Sequence, residues 1–144
     1  MKATSIKISG FKAVALGAVL ASSLIFNPLA NAAEKAVAPV QIPATSEAIW
    51  RSIDKETAIL DTLIRTGKLV ELHHHAFAIR DLVAALPSHS GTLPTEKIAQ
   101  IKASSKYVAT LAERLDAAGD ANDKAAATSN LLKLKEVLKT IPAN

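Results

Sequence analysis

Apolar residues along this chain recur at alternating steps of three and four in four separate stretches, each bounded by residues that start or stop helices. In the first, Ile49, Ile53, Leu60, Leu63 and Ile64 fall on one face, with Trp50 on its flank. Thr45 or Ser46 offers an N-cap, and Glu47 stands in the first turn, where the helix dipole favours an anion. Gly67, the residue type that most readily turns left-handed, is the expected terminator. The second stretch runs from about Lys68 to Leu86 on a seam of Leu69, Leu72, Ala76, Ile79, Val83 and Leu86, with Pro87 expected to stop it. The third spans Thr95 to Ala118, placing Ile98, Ile101, Ser105, Val108, Ala112 and Leu115 on one face, and Gly119 is its expected end. The fourth carries Ala127, Leu131, Leu134, Leu138 and Ile141 before Pro142, with Asp120 or Asn122 to cap it.

Each half thus reads helix, Gly, helix, Pro, and each hairpin alone would leave its apolar seam wet. The pattern predicts an all-α fold, an antiparallel four-helix bundle made of two helical hairpins over residues 45–144. A dimer of open hairpins would bury the same seams. Residues 33–44 carry two prolines and no helical period, so a flexible lead-in is expected there.

The segment before them has a different character. Lys2 and Lys7 lead into the apolar run Ala13 to Phe26, followed by Asn27-Pro28 and then Ala30-Asn31-Ala32, the small-x-small form that a signal peptidase cuts. With Ser22 and Ser23 inside it, that run falls short of the roughly 20 apolar residues that span a bilayer. Residues 1–32 therefore read as a signal peptide, and the working domain as periplasmic, with secretion as the alternative.

Removing the leader changes the charge. Three of the 17 lysines and arginines (Lys2, Lys7, Lys12) lie within it, whereas all 13 acidic residues follow it, so the remaining chain is close to neutral. The basic pI then gives no case for nucleic acid or anionic lipid as partner. The chain has no Cys, which removes disulfides, thiolate metal sites and thiol nucleophiles together, and its single Met is Met1. Paired facing histidines for haem are not present, and the single Glu-x-x-His run, Glu71 to His74, is one where a di-iron centre needs two. No catalytic motif stands out, and the expectation is a non-enzymatic protein.

The chemistry that remains is His73-His74-His75. Imidazole is a ligand for zinc, nickel and copper(II). Successive helical residues point about 100° apart, so three neighbours cannot converge on one ion while the helix holds. His73 and His75 flank opposite edges of the seam and His74 faces outward; Glu56 and Asp61 on the first helix are the candidate oxygen donors. Arg80 at the seam edge is a candidate ion-pair partner for Glu56.

The run from Leu72 through His73, Phe77, Arg80 and Asp81 to Pro87, with the Leu115-Asp116-Ala-Ala-Gly119-Asp120 turn, resembles a group of small exported helical proteins of proteobacteria, often found in heavy-metal resistance settings. The resemblance implies an envelope location, a metal context and a ligand role for the histidine near position 73; it implies no reaction. The sequence therefore points to a helical protein that binds or buffers a divalent metal or accompanies a metal-efflux system. A module that docks an envelope protein or a second copy of itself is the alternative. Intact-mass measurement of the exported form is expected to give a chain beginning at Ala33; a product retaining residues 1–32 would identify the apolar run as an anchor instead.

Overall fold

The computed structural model describes residues 39–143, so the signal peptide and residues 33–38 of the lead-in lie outside it. Within this range the chain is all helical, with no strand: α1 (Ser46–Thr66), a 3₁₀ turn (Leu69–Glu71), α2 (Leu72–His89), α3 (Thr95–Asp120) and α4 (Lys124–Thr140). No helix among the described residues is long and apolar enough to cross a membrane. α1 packs on α2, α2 on α3 and α3 on α4, while α4 touches α1 more sparsely. The seams expected from the sequence meet in one core: Ile49, Ile53, Leu60, Leu72, Ala76, Ile79, Val83, Leu86, Ile101, Val108, Leu115, Ala127 and Leu134 are all fully buried. Ile98 and Ser105 are only half-buried, and Leu82 and Leu111 join the core beside the seams.

α1 begins as its sequence implies, with Thr45 Oγ1 accepting from the Ala48 N–H at 3.2 Å. It ends on Gly67 at φ 77°, where the Gly67 N–H bonds the Ile64 carbonyl and the Lys68 N–H bonds the Leu63 carbonyl. This pair of overlapping bonds is the Schellman arrangement, and it satisfies carbonyls that the helix end would leave open. The chain does not then continue straight into a long second helix. It makes the 3₁₀ turn first, with Leu69 buried and Val70 exposed, so α2 starts at Leu72 rather than near Lys68.

Two expected terminators act otherwise. Pro87 lies inside α2, which runs on to His89. A proline here lacks the N–H that would bond the Val83 carbonyl. Ser105 Oγ of α3 lies 3.4 Å from that carbonyl while donating to the Ile101 carbonyl at 2.9 Å, so the freed acceptor faces a hydroxyl rather than bare core. The connection to α3 is correspondingly short, residues 90–94, and buries Ser90.

Gly119 is likewise inside its helix. A Cβ built on it would sit 2.5 Å from the Leu69 carbonyl oxygen and 3.6 Å from the Leu72 Cβ, so glycine is there because the 3₁₀ turn packs against α3 backbone to backbone. Asn122, at φ 51°, is the left-handed residue that ends α3, with Asn122 N–H on the Gly119 carbonyl and Asp123 N–H on the Ala118 carbonyl. Asp123, rather than Asp120 or Asn122, then caps α4 by accepting from the Ala126 N–H at 2.9 Å.

Side chains close other helix ends across the fold. Lys124 Nζ donates to the Arg65 carbonyl at the end of α1, and Gln100 Nε2 donates to the Thr140 carbonyl at the end of α4, both at 3.0 Å. The described part of the lead-in is tied as well: Val40 packs against the core and His89 Nδ1 donates to the Ala44 carbonyl at 3.0 Å. Gly119→Ala is expected to cost about 1–3 kcal/mol, the usual range for overpacking a filled site. Gly91→Ala, where nothing lies within 4 Å of the added carbon, should be close to neutral. Urea denaturation of the two variants measures the contrast.

Candidate functional site

Because α2 follows α1 after a short turn, the first turns of α2 lie beside the second half of α1. This brings two of the four candidate residues together. His75 Nδ1 lies 2.6 Å from Glu56 Oε2, a contact between the two helices with the side chains 26% and 19% exposed. A carboxylate only accepts, so His75 Nδ1 carries a proton and donates it, which leaves Nε2 as the nitrogen that would offer a lone pair to a metal ion. Partial burial screens this contact less than a surface pair.

His73 goes elsewhere. It is buried, and its Nδ1 donates to the Val70 carbonyl in the 3₁₀ turn at 2.8 Å, again leaving Nε2 as the lone-pair nitrogen. The ring of His74 lies against that of His73, centroids 3.7 Å apart and planes tilted by 40°, while the residue stays exposed. His75 thus stands apart on Glu56, while His73 and His74 lie ring against ring.

Asp61 is one and a half turns beyond Glu56 and does not join His75. Its Oδ1 accepts from Lys135 Nζ of α4 at 2.8 Å. That hydrogen bond, followed by the lysine's charge, holds the Asp61 carboxyl below its ordinary value of 3.8, against a smaller opposing effect of burial and with Arg65 adding least. Arg80, expected on Glu56, instead bonds Asp81 Oδ1 through Nε at 2.8 Å and lies over the Phe77 ring at 4.6 Å. Glu56 is engaged by His75, and Phe77 offers the guanidinium a ring face. Among the described residues, no three His, Cys, Asp or Glu side chains gather closely enough to hold a metal ion between them.

A second feature is absent from the sequence pattern. Where α4 meets α1, an open groove of about 350 Å³ is lined by Trp50, Asp54 and Thr57 of α1 and Lys135, Leu138 and Lys139 of α4. The Trp50 Nε1 is buried there without a hydrogen-bond partner. The available signals were Trp50 on the flank of its seam and the lack of a direct chain connection between α1 and α4. Neither fixes which residues face each other.

The chain matches no protein-family model, no curated protein and no solved structure. Asp61 lends itself to a direct test. A carboxyl with a lowered folded-state pKa stabilises the fold above its unfolded value and loses that contribution as the pH falls through the folded one. Asp61→Asn should therefore cost no more than about 1 kcal/mol at neutral pH, because the pair is largely exposed, and thermal melts should show the deficit shrinking below pH 3.8.

Proposed function

We propose that this protein is a small, exported, non-enzymatic helical bundle that binds or buffers a divalent metal ion, of the zinc, nickel or copper(II) class, in the periplasm. It works there as a metal reservoir or beside a metal-efflux system. The bundle is antiparallel and built from two hairpins, α1–α2 and α3–α4. Support for that arrangement comes from the short links after Gly67 and Asn122 and from the bonds by which Lys124 meets the end of α1 and Gln100 the end of α4.

The observation that carries the metal reading is the Glu56–His75 pair. A carboxylate that takes the Nδ1 proton of an imidazole fixes its tautomer, orients the ring and raises the basicity of Nε2, which is the usual surrounding of a metal-bound histidine. On this reading His75 is the ligand and Glu56 its orienting partner rather than a direct oxygen donor. His73, held on the Val70 carbonyl with a second lone-pair Nε2, is the reserve donor. Asp61 is left out of the site, because Lys135 occupies it.

A second reading, a docking module for an envelope protein, is favoured by the open groove between α1 and α4. The two separate on one measurement. Under the metal reading, zinc, nickel or copper(II) raises the melting temperature, since ligand at a hundredfold excess over Kd adds about 2.7 kcal/mol to the folded state. His75→Ala should remove the rise and Glu56→Gln should weaken binding about tenfold or more. An unchanged melting curve at saturating metal rules out the metal reading.

A further inference from the structure

The histidines of α2 do not gather into a site of several imidazoles within one chain. Adjacent helical positions diverge by about 100°, and no three potential ligand side chains gather anywhere among the described residues. His75 nonetheless has the surroundings of a ligand: its Nδ1 is engaged by Glu56 at 2.6 Å, and Nε2 is the nitrogen not used in that contact. A borderline divalent ion favours several nitrogen donors, so one oriented imidazole is an incomplete site.

A two-fold axis through this patch would supply the missing donor. An isologous contact presents the same patch from both sides, so any donor near the axis occurs twice, with its orienting partner. Two further observations favour a second copy of this chain. Val70, in the 3₁₀ turn that leads into α2 and bonded through its carbonyl to His73, is 66% exposed, so an apolar side chain stands uncovered at the end of the fold where α2 begins. The chain beyond the leader is also nearly neutral, so two copies approach without strong repulsion.

We propose that a divalent metal ion joins two copies of this protein, each supplying the Nε2 of its Glu56-oriented His75, with Val70 covered at the contact. This rests on the metal reading above and names its partner. No bond to carbon or change of oxidation state is involved; the ion accepts one lone pair from each imidazole, and water fills the remaining positions.

The test uses the protein purified after expression of the full chain, with zinc ion as the probe. Sedimentation velocity and isothermal titration are run together on the same sample. The expected result is one zinc per two chains, a doubled sedimenting mass and return to the monomer on adding a chelator. His75→Ala abolishes both signals. Val70→Glu, which places a charge in the contact at an exposed position that tolerates it, lowers dimer formation at least tenfold while leaving the fold intact by circular dichroism. His74→Ala leaves stoichiometry and mass as they are. Zinc bound one per chain with no change in mass overturns the inference and leaves the metal reading standing. Failure to bind zinc, nickel or copper(II) removes both. A zinc-induced dimer that survives His75→Ala overturns the inference as well.

Discussion

The approach of the 3₁₀ turn to α3 is the constraint on which much else depends. Leu69 lays its backbone carbonyl where any side chain at position 119 would stand, and only glycine allows it. This contact fixes the turn between α1 and α2, and with it the place where α2 begins. The first residues of α2 are the histidines, so backbone packing at one end of the molecule decides where His75 meets Glu56. Val70, whose carbonyl anchors His73, belongs to the same turn. The polar pair on one side and the buried seam on the other are held by one close approach.

The sequence made the seams legible because burial imposes a period of 3.6 that survives without knowledge of neighbours. Leu72, Ala76, Ile79, Val83 and Leu86 are buried as that period requires. What the sequence obscured was the reason for particular glycines and prolines. Gly67 is conformational, a left-handed residue at a helix end, and this is a local property that can be read from its position. Gly119 serves a contact with a residue fifty positions away, and nothing beside it announces that. Pro87 carries a local helix-stopping signal, but in α2 the carbonyl it frees is met by Ser105 from another helix.

The candidate site divides along the same line. The link between α1 and α2 is short, so Glu56 and Asp61 were both readable as neighbours of the α2 histidines, and only Glu56 meets His75. The partner of Asp61 was not, because Lys135 stands on α4 and the register of α4 against α1 is set by packing across the whole fold. Arg80 found its anion on the adjacent residue and an aromatic face one turn back, an arrangement that leaves Glu56 to the imidazole.

Asp123 closes α3 with its N–H and opens α4 with its carboxylate, so these two helices are joined by almost no free chain. Closing so short a loop costs little entropy. The contact of α3 with α4 is thus the part of the fold best placed to form early, before the more distant α1–α4 seam can assemble. Helical structure emerging from the C-terminal half first would give the apolar faces of α1 and α2 a surface to condense on. A chain that emerges N-terminus first during synthesis would then acquire its template last.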